Sequence, residues 1–313
     1  MHPIGPSLIP LAVTSVLLGA SGAAAAATLE LAPTSDWELR EYDDKCRIAR
    51  DFGSGEDAVT LWIDKGGPGP GVNLTFIGRP LRNPHGPTVR FAFEEAEKAE
   101  RSYIKATSSA GRPVMVLFGV RPEGALANTK ELDVAPTQVA SGDEEVDITT
   151  GAGPDPGLGE ELIVERFSAI ETIELEGAIA DPLTLRFDSF GDAIADLLGC
   201  TGELVERLSG HSGEGWEGPL PVEQQRWAAK IMMNYPAHLL RQGEQGSVDV
   251  LLTVGKSGQP TFCEVVGFTG PASFNETACL QLLKHARFDP ARDPHGEATA
   301  AFWQTRVTYK IRN

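Results

Sequence analysis

Apolar and polar residues alternate most regularly near the end of the chain. Val248, Val250, Leu252 and Val254 fall on one side of an extended segment, with Ser247, Asp249, Leu251 and Thr253 on the other, which is the period of a strand. Gly255, Lys256, Ser257 and Gly258 make a turn, after which Phe262, Glu264 and Val266 alternate with Cys263, Val265 and Gly267 in a return strand. Ser273 and Glu276 have capping-box spacing and open a helix whose apolar face takes Ala278, Leu282 and His285 with Cys279, Leu283 and Ala286. Pro290 forbids its continuation. Trp303, Thr305, Val307, Tyr309 and Ile311 then alternate with Gln304, Arg306, Thr308 and Lys310 in a last strand with one wet face. The expected unit is a three-stranded antiparallel sheet with one helix on one face.

Upstream, Trp37 leads into the run from Cys46 to Gly53, and short β-like runs follow at 58–63, 72–77, 88–93, 114–120, 170–175 and 183–187, parted by Gly/Pro turns. Residues 94–105 read as a polar helix or an exposed loop, and 141–160, rich in Gly, Pro, Asp and Glu, as a mobile loop. Residues 191–208 form a helix with Ile194, Leu197, Leu198, Leu204, Val205 and Leu208 on one face and Cys200 at its flank, weakened by Gly199 and Gly202. The stretch 209–225, with several glycines plus Pro219 and Pro221, reads as a linker, and Trp227, Ile231 and Met232 as a short helix packed on the C-terminal sheet. The expected class is α+β: a β-rich N-terminal domain over 34–208 with one late helix, the linker, and a small C-terminal domain over 226–313.

The first 27 residues change the picture of where the chain works. No charge occurs from Pro3 to Ala27, Leu8 to Leu18 is largely apolar, and Ala23 to Ala27 offers small-residue cleavage sites. This is the architecture of a secretory signal peptide, although the start carries only His2 and the amino terminus in place of Lys or Arg. The expectation is a soluble periplasmic product; the alternative is an uncleaved leader of about twenty residues that anchors the chain in the inner membrane. Lys+Arg 27 against Asp+Glu 44 gives a net charge of −17, which disfavours nucleic acid and anionic lipid. Such a charge suits a basic partner and is equally what solubility alone asks for.

Four cysteines in an exported chain read as two disulfides, with three pairings open. Cys263 with Cys279 is favoured because the return strand and the following helix must pack together, which leaves Cys46 with Cys200. The shorter bridge contributes about 3 kcal/mol in the chain-entropy picture. Free buried thiols are the alternative; a metal site is disfavoured because no cysteine pair has C-x-x-C spacing and the histidines are scattered.

The C-terminal quarter resembles the C-terminal domain of TonB. The residues that carry the resemblance are Tyr235-Pro236, the segment from Gly243 to Val254, Gly258-Gln259-Pro260, Phe288-Asp289-Pro290 through Asp293 before Gly296, and Phe302 through Ile311. The whole chain resembles exported proteins of α-proteobacterial type with a TonB-like C-terminus, with Trp37, Cys46-Arg47 and Phe52-Gly53 early, a Cys-bearing helix midway and a paired-cysteine variant of the domain. TonB proper passes energy from the inner membrane to outer-membrane transporters through a retained anchor and a proline-rich spacer. Here the 22 prolines are scattered, so the energy-transducer role is in doubt and the binding module remains.

The resemblance implies a mechanism for transmembrane transport or envelope binding. A three-stranded sheet leaves edges to which a peptide adds as a further strand. In the family the last strand takes this role, which here falls on Thr305, Arg306, Val307, Thr308, Tyr309, Lys310 and Ile311, with Tyr235 and Pro236 near the contact. The implied partner is a periplasmic or outer-membrane protein, with a TonB-dependent transporter peptide suspected; Arg306, Lys310 and Arg312 would meet acidic residues on it. The plain structural alternative has Tyr235 and Pro236 merely fixing the start of the domain, with Pro236 opening a short helix. Two further readings stay open, an envelope adaptor whose N-terminal domain binds cell wall or a partner, and a cryptic hydrolase.

No enzyme signature is expected. Asp188-Ser189-Phe190 lacks the glycine of an aspartic-protease loop, and no G-x-S-x-G elbow, H-E-x-x-H helix or P-loop occurs. The run from Gly66 to Gly71 is glycine-rich, but Pro68 and Pro70 remove amides that a phosphate cradle needs. His238, His285 and His295 read as surface or packing histidines, and no cofactor is implied.

Overall fold

A computed structural model describes residues 28–94, 98–122, 160–188, 190–210 and 215–311. The leader, all but the last residue of the 141–160 stretch, Ser189 and Arg312 lie outside the described residues.

The first half builds strands β1 (Leu29–Leu31), β2 (Glu38–Glu41), β3 (Cys46–Phe52), β4 (Val59–Lys65), β5 (Val72–Gly78), β6 (Thr88–Phe93), β7 (Ala99–Ser102), β8 (Ile104–Thr107) and β9 (Pro113–Val120). Helix α1 (Glu160–Ser168), strands β10 (Thr172–Glu176) and β11 (Leu183–Arg186) and helix α2 (Phe190–Ser209) follow. Two sheets result, in the orders β2-β3-β4-β5-β9-β8 and β1-β11-β10-β6-β7. The first is antiparallel throughout; the second has a single parallel pair, β1 beside β11. Alternate residues of the central strands, such as Ile48, Leu61, Ile63, Leu74 and Phe76, are buried in one hydrophobic cluster that takes residues from both sheets and both helices. Ile194, Leu197, Leu198, Leu204 and Leu208 of α2 close it, and Cys46 of β3 is bonded to Cys200 of α2 with 6.1 Å between Cα atoms.

Two expectations for this half need correction. Residues 99–102 and 104–107 are neither helix nor loop but β7 and β8, one pairing with β6 and the other with β9. Both are edge strands whose residues are exposed or half-buried on both faces, so no buried face marks them with a period of two. The late helix also has a predecessor, α1, lying against α2.

The second half runs β12 (Leu220–Pro221), α3 (Gln224–Met233), α4 (Ala237–Gln242), β13 (Gly246–Val254), β14 (Pro260–Thr269), α5 (Ser273–His285), β15 (Phe288–Asp289), β16 (Ala291–Arg292), β17 (Ala298–Thr299) and β18 (Ala301–Tyr309). Its main sheet is antiparallel in the order β14-β13-β18, with Val248 opposite Val307 and Leu252 opposite Trp303. Val248, Val250, Leu252 and Val254 are buried against α5, whose Phe274, Ala278 and Leu282 are buried with them. Cys263 of β14 is bonded to Cys279 of α5, 5.6 Å between Cα atoms. Trp227 and Ile231 seat α3 on the same cluster.

The stretch read as a linker ends inside this unit: Leu220 pairs with Asp289, and Glu217 with Arg292. The two glycine-containing motifs of the C-terminal quarter meet. The amide of Phe288 donates to the Gly258 carbonyl at 2.9 Å, and a Cβ on Gly258, which has φ +74°, would overlap the Phe288 carbonyl oxygen.

Candidate functional site: an open strand edge and a closed seam

Among the described residues β18 pairs with β13 and with no other strand, so alternate amides and carbonyls along its outer side have no ladder partner. Its start leans on the N-terminal half, since Ala300, the residue before it, lies in that core and Phe302 packs against it. The later residues border a narrow apolar cleft, floored by Trp227, Ala228, Ile231 and Met232 of α3 and walled by residues 305–308. Met233, beside this cleft in sequence, is 84% exposed.

Most of the side chains expected to meet a partner are otherwise engaged. Thr305, Val307 and Tyr309 are buried toward the domain interior. The Tyr309 ring stacks on Phe274 with centroids 4.4 Å apart, and burial pushes its phenol well above the ordinary range. Tyr235 stands edge-on to both rings at 5.4 Å, and its hydroxyl donates to the Glu244 carbonyl. Pro236 is the residue preceding the first turn of α4, so both residues have a structural task at the head of the domain. Arg306 holds Asp249 with two hydrogen bonds of 2.6 and 2.9 Å. Thr308 and Lys310 are exposed and Ile311 is half-buried. What the edge offers is therefore chiefly backbone.

The opposite side of the sheet is closed by the N-terminal half. Thr253, Phe262 and Glu264, which face away from α5, are 1%, 1% and 2% exposed. Phe262 packs on Gly66 and Gly67, and the Thr253 hydroxyl donates to the Gly66 carbonyl at 2.5 Å. Glu264 accepts from Arg121 at 2.5 Å and sits against Gly69 and Gly71, where a Cβ on Gly71 would come within 2.5 Å of Oε2. Lys65 curls this loop by donating to the carbonyls of Gly69 and Gly71 at 2.5 and 3.2 Å. The glycine-rich run is thus the socket for Glu264. At the rim, Lys256 of the β13–β14 turn pairs with Asp43.

Glu276 completes the seam in place of a capping box. The residue before α5 is Ala272, with no side-chain cap, and the Glu276 carboxylate accepts from the Ser102 amide at 2.6 Å with Arg101 at 3.8 Å. Burial pushes the Glu276 carboxyl up and the Arg101 guanidinium down. Asp188, weighed above as a catalytic carboxylate, forms an ion pair with Arg50 at 2.5 Å, and Arg50 lies over Trp37.

Residues 232–311 match the family of the Gram-negative bacterial TonB protein C-terminal domain. The match spans about a quarter of the chain and takes in α4, the three-stranded sheet, α5 and the cleft wall. That family is envelope-associated. No curated protein and no solved structure matches the chain. No helix among the described residues is long and apolar enough to cross a membrane.

One pH effect follows within the TonB-like domain. Burial first, then Lys230, Lys284 and Arg287, hold His285 below the ordinary imidazole range. A depressed folded-state value gives stability that is present above the unfolded value of about 6.5 and is lost as pH falls through the folded one. Between pH 7.5 and 5.5 the unfolding temperature is expected to fall more for the parent chain than for His285→Gln; equal falls would remove His285 as the cause.

Proposed function

We propose that the chain is an exported envelope protein whose TonB-like domain binds an extended segment of an outer-membrane transporter or another periplasmic protein by strand addition along β18. The observation that carries this reading is the one-sided pairing of β18 beside the α3 cleft, while the face of the sheet turned away from α5 is covered by the N-terminal half. Backbone hydrogen bonds would supply the affinity, and alternate side chains of the incoming strand would reach Trp227, Ile231 and Met232. This is a binding role, with no reacting group assembled at the edge.

Two neighbouring proline substitutions test it. Successive amides of a strand point to opposite sides, so of Val307→Pro and Thr308→Pro one removes a ladder bond to β13 and the other removes an outward donor. The first is expected to lower stability. The second is expected to leave the fold intact and to weaken capture of transporter periplasmic tails, at low salt, about tenfold. Undiminished capture by the folded proline variant would rule out strand addition at this edge.

A further inference from the structure

The seam between the two halves encloses a cavity of about 340 Å³. Arg101 of β7, Arg121 after β9, Asn275 and Glu276 in the first turn of α5, and the Cys263–Cys279 bridge line it. Asn275 is 7% exposed, yet neither its side-chain oxygen nor its nitrogen has a hydrogen-bond partner, and the Arg121 Nε is likewise unpartnered. Arg101 has its carboxylate neighbour at 3.8 Å, beyond hydrogen-bond reach. Buried polar groups are ordinarily bonded, so three unsatisfied atoms beside one cavity mark a place built to be filled.

We propose that this cavity binds a small monocarboxylate with an amide next to its acid group, the chemistry of an N-acylated amino acid or of the C-terminal residue of a short peptide. Guanidinium donors from Arg101 and Arg121 suit a carboxylate. Asn275 presents one donor group and one acceptor, the complement of a secondary amide. Two arginines already stand with two glutamates, Glu264 and Glu276, so a monoanion adds one charge where a phosphate dianion adds two. The volume lies at the small end of the roughly 300–1,000 Å³ range of ligand sites, which admits one or two residues and not a long chain. The cavity lies on the β14 side of the sheet, away from β18, so it stands or falls separately from strand addition.

The test titrates the full chain with N-acetyl-L-alanine, its amide N-acetyl-L-alaninamide, a blocked tripeptide with a free carboxylate, and inorganic phosphate, read by nitrogen-15 NMR and thermal unfolding. N-acetyl-L-alanine, the tripeptide or both are expected to shift the Asn275 amide and Arg Nε signals and to raise the unfolding temperature. Response to the tripeptide alone identifies a peptide end as the source, and response to acetylalanine identifies a free acyl amino acid. Asn275→Ala and Arg101→Met are expected to weaken binding at least tenfold. An equal response to acid and amide, a response to phosphate alone, no response to any probe, or unaltered affinity in both folded variants would overturn the proposal. If neither variant folds, the comparison of acid with amide on the parent chain decides it.

Discussion

Replacing Cys46 and Cys200 together by alanine is expected to cost up to about 5 kcal/mol of stability, the largest effect of any single change in the cross-linking of this chain. The bridge spans 154 positions, against 16 for Cys263–Cys279, and loop-closure entropy grows with the length of chain closed. The same arithmetic gives about 3 kcal/mol for the shorter bridge. Cys46 is fully buried where β3 meets α2, so the bridge clamps the helix across the cluster it covers. Urea unfolding of the two double-alanine variants checks the ranking. A larger loss from Cys263→Ala/Cys279→Ala would show that packing strain or unfolded-state structure, not loop length, governs these bridges.

The second large effect is electrostatic. Arg121→Ala leaves the Glu264 carboxylate in a socket only 2% exposed, between Gly69 and Gly71, with its principal cation gone. Removing one partner of a buried pair costs about 3–5 kcal/mol, because the remaining charge stays desolvated. The double variant Arg121→Met/Glu264→Leu is expected to regain most of that loss, since no unpaired charge remains. The difference between single and double variants, measured by urea unfolding, reports the strength of the seam. A single variant as stable as the parent would show that Glu264 escapes to water and that the two halves are only loosely joined.

That seam was the least legible feature of the sequence. The alternation of Val248, Val250, Leu252 and Val254 gives β13 directly, and the spacing of Ile194, Leu197, Leu198, Leu204 and Leu208 gives α2, because each element buries one face at its own period. Glu276 shows how a correct local pattern is overridden. Its spacing from Ser273 is that of a capping box, but an amide 174 positions away, that of Ser102, takes the carboxylate. The glycines from Gly66 to Gly71 read as a plain loop because the group they make room for, Glu264, arrives from another part of the chain. Strands β7 and β8 are not legible because neither of their faces is buried, which leaves no period-two pattern to read, and α1 is a short helix of nine residues.

The candidate edge was legible in position but not in detail. The last strand was placed by its alternation and by its likeness to TonB, and the structure leaves its outer side without a strand partner among the described residues. The roles of its side chains were not legible. Tyr235 and Tyr309 fill the domain interior around Phe274, and Arg306 is held by Asp249, because each is satisfied by a residue that sequence spacing does not bring near. The cleft beside the edge comes from α3, whose Trp227 and Ile231 were legible as packing residues and whose Met232 lines the gap.

Amide hydrogen exchange tests the central claim most directly, measured on the full chain alone and with a peptide copied from the periplasmic tail of a TonB-dependent transporter. The account predicts that alternate amides from Thr305 to Tyr309 exchange readily in the free chain and become protected in the complex, while β14 and the Glu264 socket are unchanged. Protection of those outer amides in the free chain, or a complex that leaves them exchanging as before, would contradict it.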